Sequence, residues 1–361
     1  MKQKILIALS VLFLAGLVIF LYSGRSTPEE REPAVSWKKH FGQLFLIGFE
    51  GKEVTPELAS LMAEIRPGGV LLLQRNIENK EQVQKLVEDL QELSLQNTGF
   101  RLFVAVDQEG GPVSRISFAE DTSQSQLQDF FQAFLVGSQR GKELKEMGVN
   151  MNLAPVLDSN NKEDFVFERT FQTARDASLQ LAKGLVQGHQ LQNVISVPKH
   201  FPGYDGIPFN PEEDVIPVVP SLPNTTIFEN VFQELGLPFV LLSHVQYQDF
   251  DEENAFPFSQ KGVQLAKEKL GENILVMSDD ILSQAFLKKF SYEEIGRKAL
   301  GAGVNIMIAA GYPDAKVVSE FYQASFRVVE ENEELQKRAA EASQRIVELK
   351  LDVVHNAFIL K

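Results

Sequence analysis

Residues 101–111 read "RLFVAVDQEGG", and their reading decides the fold. The apolar run 102–106 has no polar alternation, which suits a strand covered on both faces. The run stops at Asp107, and Glu109 and a Gly-Gly turn follow, where backbone can approach a ligand closely. A buried strand that ends abruptly in polar residues is the repeating unit of an α/β barrel, whose active site forms at the C-terminal ends of the strands.

The same unit recurs along the chain. "GGVLLL" (68–73), "VNMNLAP" (149–155), "VISVPKH" (194–200), "PFVLLSH" (238–244), "ILVMSDD" (274–280) and "VNIMIAA" (304–310) are further candidate strands, and "FGQLFLIGF" (41–49) completes a set of eight. Amphipathic stretches separate them, as expected for parallel strands joined by helices. The predicted fold class is therefore α/β: a TIM-like (β/α)8 barrel forming a single catalytic domain over residues 37–361. No linker rich in Pro, Gly or Ser divides it, and "ENEELQKRAAEASQRIVELKL" closes it as a helix with a solvated face.

Asp107, His200, His244 and Asp279 each follow an apolar run directly. Any one of them alone reads equally well as a loop cap or a satisfied polar residue. Four strands carrying chemistry to one rim are harder to explain by core packing.

Ahead of the barrel, Lys2 and Lys4 precede an uninterrupted apolar run from Ile5 to Tyr22, close to the ~20 residues that cross a bilayer. The basic flank predicts that the start stays in the cytoplasm and that the rest is exported. Bulky Leu21 and Tyr22 stand where a cleaved signal would have small residues, which favours an anchor. The expected organisation is an N-terminal transmembrane helix (1–24), acting as signal anchor or, if cleaved, signal peptide, then a charged tether (25–36), then the barrel. The expected location is the cytoplasmic membrane, single-pass, with the catalytic domain outside; a cleaved form would be secreted.

Composition narrows the function. The formal net charge of −14 argues against nucleic acid, which needs a basic surface. The chain has no cysteine, which excludes thiolate chemistry and disulfides, and its five histidines lack the spacing of a metal pair. Neither a metal nor a cofactor is expected. A neutral or weakly charged ligand fits best, taken up by a monomer.

Individual residues add chemistry. Asp107 can accept hydrogen bonds from hydroxyls, and Arg169 in "FERTF" is a fork for oriented hydrogen bonding. Lys199 and His200 lie side by side at a strand end, which is costly unless carboxylates or a ligand are near. In "VMSDDI" strand alternation lets only one of the two aspartates point into the barrel mouth.

In order, "GGVLLLQRN", "VDQEGGPVSR", "MNLAPVLD", "FERTF", "KHFPG", "LLSHV" and "VMSDDI" resemble the motifs of glycoside hydrolase family 3, specifically its single-domain β-N-acetylglucosaminidases acting on cell-wall muropeptides. The resemblance covers the chain from about Trp37 to the last helix. It implies a retaining hydrolase that removes terminal β-linked N-acetylglucosamine from peptidoglycan-derived glycans through a glycosyl-aspartate. It implies Asp279 as nucleophile with Asp280 as structural neighbour, Asp107, Arg169, Lys199 and His200 as the grip on the sugar, and His244 as a further residue near the pocket.

The sequence also departs from its relatives. After "KHFPG" they continue His-Gly and then carry an Asp-x-His pair whose histidine is the general acid/base. Here Tyr204 and Asp205 follow the glycine, and "FNPEED" occupies the place of the pair. No histidine lies between His200 and His244. Ungapped alignment brings Glu212 to the histidine's position, and a one-residue insertion brings Glu213 there. Glutamate is an acid/base of retaining glycosidases, so one of the two is the expected replacement. The alternative is a catalytically impaired, membrane-tethered sugar-binding homologue.

Overall fold

The computed structural model describes residues 36–159, 161–312 and 314–355. The expected N-terminal anchor and most of the tether lie outside the described residues. Among those described, no helix is long and apolar enough to cross a membrane.

All eight expected strands form, each shorter than its apolar run: β1 (Phe45–Ile47), β2 (Gly69–Leu72), β3 (Phe103–Val106), β4 (Met151–Asn152), β5 (Ile195–Ser196), β6 (Phe239–Leu241), β7 (Leu275–Asp280) and β8 (Ile306–Ala309). They make one parallel eight-stranded sheet in the order β5-β4-β3-β2-β1-β8-β7-β6. The two edges, β5 and β6, are neighbours in sequence, and the ring closes between them. Leu241 N donates to Pro198 O at 3.1 Å, Phe201 N to Leu241 O at 2.8 Å and Ser243 N to Phe201 O at 2.8 Å. Regular pairing is interrupted here because Pro198 and Pro202 carry no N–H to donate.

A helix follows every strand: α1 (Pro56–Ile65), α2 (Lys80–Thr98), α3 (Phe130–Glu146), α4 (Arg175–Leu191), α5 (Thr226–Leu235), α6 (Gln260–Leu270), α7 (Tyr292–Ala302) and α8 (Ala315–Glu330), with α9 (Glu333–Leu349) closing the chain. Their boundaries follow side-chain caps: Thr55 accepts from Leu58 N, Asn79 from Gln82 N and Asp129 from Gln132 N. Ser291 and Glu294 form a capping box at the start of α7.

Strand residues such as Val104, Val240, Val276 and Met307 have no exposure, as continuous apolar strands in a helix-covered barrel require. Across the barrel, Phe103 of β3 meets Phe239 of β6 edge-to-face with ring centroids 5.3 Å apart. Beneath them Lys350, just past α9, is buried with its Nζ 5.1 Å from the centroid of the Phe103 ring and donating to Gln43 Oε1 at 2.7 Å. Burial alone lowers this lysine to about 7. The opposite end, where the strands run out, stays open.

Beyond β3 the sequence reading expected only a turn. The structure has a short antiparallel hairpin there, Gln108–Gly110 paired with Val113–Ser114. Gly110 and Gly111 turn it with φ of 86° and 66°, a conformation that disfavours residues with a Cβ. Arg140 from α3 is buried behind it, donating to Glu109 O at 2.9 Å and pairing with Glu120 at 2.7 Å.

Candidate active site

The open end of the barrel holds a pocket of about 290 Å³ lined by Asp107, Arg169, Lys199, His200, Glu212 and Asp279 among others. Six of the eight residues singled out in the sequence therefore meet at one place. The other two do not. Glu213 is exposed, accepts from Asn210 Nδ2 at 3.1 Å and does not line the pocket. His244, expected near the ligand, has no exposure and lies behind the pocket wall against the Phe286 ring at 4.5 Å. Burial pushes His244 down to about 4.

The wall beneath the pocket is an ion network centred on Glu109. Arg169 donates to it through Nε and Nη2, each at 2.9 Å, and Lys199 Nζ lies 2.7 Å away. Burial alone would raise the Glu109 carboxyl, but Arg169 and Lys199 outweigh it and hold it at about 2. Lys199 also donates to Asp107 Oδ1 at 2.6 Å. Burial works against the ammonium, and Asp107 and Glu109 reverse that and keep it above its ordinary value. The paired acids that Lys199 and His200 demanded in the sequence are thus Asp107, Glu109 and Asp158.

Asp158 fixes His200. Its Oδ2 lies 2.8 Å from His200 Nδ1 and accepts His200 N at 3.1 Å. Arg169 Nη2 is 3.2 Å from His200 Nε2, and a guanidinium can only donate. Nε2 must therefore accept, and Nδ1 carries the proton that Asp158 receives. His200 stands as an oriented ring, 3.9 Å from Asp279 Oδ2.

The two aspartates that end β7 have separate surroundings. Asp280 accepts from Leu282 N at 3.1 Å and from Gly311 N, so backbone occupies its carboxylate. Burial, with Asp279 adding to it against these backbone bonds, moves Asp280 up to about 6. Asp279 receives the Asp280 amide on Oδ1 at 3.0 Å and turns Oδ2 toward His200 and Tyr204. Burial raises its carboxyl, but His244, His200 and Lys199 more than compensate and it lies below its ordinary value.

Glu212 moves the other way. It sits partly buried at the pocket wall, on a loop fixed by Ala285 N donating to Glu212 O at 3.2 Å. Burial, then the charges of Asp279, Asp280 and Asp107, push its carboxyl well above the ordinary value. Two carboxyl groups of one pocket with opposite shifts are the signature of an acid paired with an ionised base or nucleophile.

Sequence reading did not single out Asp158 or Arg115, which lies 3.6 Å from Asp107 and lines the pocket. It noticed Glu109 only as part of the turn and Tyr204 only as a missing histidine. Among the described residues no group of His, Asp and Glu is arranged to hold a metal ion. A second cleft of about 270 Å³ at the other end of the barrel is lined by Lys267, Arg338 and Arg345. There Arg338 and Arg345 bond the carbonyls of Gly301 and Ile274, so its two arginines are engaged by backbone.

A family model, "Glycosyl hydrolase family 3 N terminal domain", matches residues 37–349. A β-hexosaminidase of Haemophilus influenzae is 26% identical over 279 residues, covering 73% of this chain and 78% of that protein. One of Alkalilimnicola ehrlichii is 28% identical over 293 residues, covering 75% and 81%. Among solved structures, a β-N-acetylhexosaminidase of Beutenbergia cavernae superposes with a TM-score of 0.80 at 24% identity, over 88% of this chain and 99% of its own. At that identity the likeness supports the fold.

Proposed function

The chain belongs to glycosyl hydrolase family 3, and from that premise we propose that it is a β-hexosaminidase-type glycosidase that removes terminal β-linked N-acetylglucosamine from peptidoglycan-derived glycans with retention. The observation that carries this reading is the opposed pair in one pocket: Asp279 held below its ordinary value and Glu212 pushed well above. An ionised carboxylate under the anomeric carbon and a protonated one beside the leaving oxygen are what retaining hydrolysis requires.

Asp279 attacks the anomeric carbon as Glu212 protonates the departing oxygen, which leaves a glycosyl-aspartate. Water, deprotonated by Glu212, then releases the sugar with its original configuration. Asp107, backed by Lys199 and Arg115, accepts hydrogen bonds from hydroxyls of the terminal sugar. Because Asp107 and Glu109 together offset Arg169 and Lys199, the pocket suits an uncharged sugar ring. Its volume of about 290 Å³ suits a single terminal residue and hence cleavage from a chain end.

Glu212 at the pocket also weakens the reading of an impaired sugar binder, which rested on a missing proton carrier. The pocket is complete within one chain, which supports action as a monomer. The apolar run at residues 5–22 supports tethering at the outer face of the cytoplasmic membrane, and protease added to spheroplasts should then digest the domain. Protection until lysis would sink that location.

The test of the activity compares an activated aryl N-acetyl-β-glucosaminide with an N-acetylglucosaminyl muropeptide, following the anomer first released by NMR. Release of the β anomer and its loss in Asp279→Asn are expected. Release of the α anomer, or full turnover in Asp279→Asn, would overturn the mechanism.

A further inference from the structure

Tyr204 follows the "KHFPG" stretch, and its surroundings give it a specific task. It is 1% exposed. Its amide donates to Asp158 Oδ1 at 2.8 Å, through the same carboxylate that orients His200. Its ring sits 4.7 Å from the His200 ring and edge-on to Phe165 at 5.4 Å. Held at both places, the side chain carries its hydroxyl to 3.4 Å from Asp279 Oδ2.

The direction of that contact is determined. A phenol has one proton, and the His244 amide donates to the Tyr204 oxygen at 3.2 Å. The phenolic proton is thereby turned toward Asp279 Oδ2. Burial, followed by the neighbouring Asp279 and Glu212 carboxylates, raises the phenol well above its ordinary value, so it remains a donor throughout the working range. At 3.4 Å the bond is long, and it can be surrendered when Oδ2 becomes bonded to carbon.

We propose that Tyr204 is a positioning residue for the nucleophile: its hydroxyl, aimed by the His244 amide, holds Asp279 Oδ2 in place and stabilises that carboxylate whenever it is ionised. This rests on the glycosidase reading above. In the first step the C1–Oδ2 bond forms while the C1–O bond to the aglycone breaks. The electron pair goes to the aglycone oxygen, which takes the Glu212 proton, and Asp279 loses its charge. In the second step water adds to C1 and gives a proton to Glu212, the C1–Oδ2 bond breaks, and its electron pair returns to Asp279 beside the Tyr204 hydroxyl. Tyr204 therefore assists departure of the aspartate and acts mainly on the second step.

Tyr204→Phe keeps the ring and removes the hydroxyl. With an activated aryl N-acetylglucosaminide, kcat should fall about 10- to 100-fold, the range for losing one hydrogen bond to a charged group. KM should fall with it because the glycosyl-enzyme accumulates, and intact-mass spectrometry should find that adduct. Separately, in protein carrying 13C-carboxyl aspartate, the Asp279 resonance, assigned by its loss in Asp279→Asn, should titrate at higher pH in Tyr204→Phe. A variant with a raised KM and unchanged kcat, or with kinetics and titration both like the parent, would overturn the proposal. If the parent itself releases no aryl group, the glycosidase reading fails. The Asp279 titration then still decides whether Tyr204 holds that carboxylate, and an unchanged value refutes it.

Discussion

Arg169 meets Glu109 through two parallel bonds of 2.9 Å, Nε to Oε2 and Nη2 to Oε1, where Glu109 has no exposure to solvent. The sequence reading gave Arg169 to the sugar. Its guanidinium lines the pocket and is also engaged in the wall that supports Lys199 and His200. Bidentate pairing to a buried carboxylate is the geometry for which arginine is irreplaceable by lysine.

Breaking that pair should be costly. Glu109→Gln leaves Arg169 and Lys199 without their shared carboxylate, and removing one partner of a buried pair costs about 3–5 kcal/mol. Glu109 is held at about 2 from an ordinary 4.5, so its contribution is present above the unfolded value and is lost as pH falls toward 2. The size is roughly 3 kcal/mol at 1.36 kcal/mol per pKa unit. Urea unfolding from pH 7 to 2 should show this slope in the parent and its loss in Glu109→Gln; equal slopes would refute it.

The opposed carboxyls predict a bell-shaped dependence of kcat/KM on pH, with an acid limb set by Asp279 and a basic limb set by Glu212. Glu212→Ala should slow a natural disaccharide by about 100- to 10,000-fold and an activated aryl glycoside far less, and it should remove the basic limb. Azide, which needs no general base, should restore turnover of the aryl substrate. Glu213→Ala should leave all rates unchanged, since that residue faces solvent. A larger effect from Glu213 than from Glu212 would reverse the assignment.

Lys350 gives a stability signal of opposite sign. Burial lowers it to about 7 in the folded chain, so between that value and its unfolded value near 10.4 the unfolded state binds more protons. Its contribution therefore becomes more favourable as pH rises through this window. The stability difference between the parent and Lys350→Met should climb from pH 7 to 10 in favour of the parent. A flat difference would show that the ammonium reaches water.

Much of this was readable before the fold was known, and for a physical reason. Buried parallel strands are written as continuous apolar runs, so β3 and β7 announce themselves and the end of each apolar run is marked by a change of polarity. Asp107 and Asp279 were visible in that way. The partners were not. Glu109 and Asp158 look like ordinary turn acids until Arg169, 60 residues on, and His200, 42 residues on, are brought against them. Whether His244 lies in front of the pocket wall or behind it depends on a single turn of backbone after β6. Glu212 and Glu213, adjacent in sequence, were separated only by the loop geometry that turns one inward and the other to solvent.

The seam between β5 and β6 gives the barrel a preferred place to breathe. Elsewhere neighbouring strands are laddered together, but here two prolines leave closure to the bonds made by Phe201, Leu241 and Ser243. Openings of lowest free energy start where backbone bonding is sparsest. The same short segment carries Lys199, His200 and Tyr204, so each opening of the ring also dismantles the site. A sugar gripped across that rim then acts as a rivet: bound only by the closed form, it should slow amide exchange at those three residues by the factor 1 + [L]/Kd. Unchanged exchange with the pocket saturated would place the weak point elsewhere in the ring.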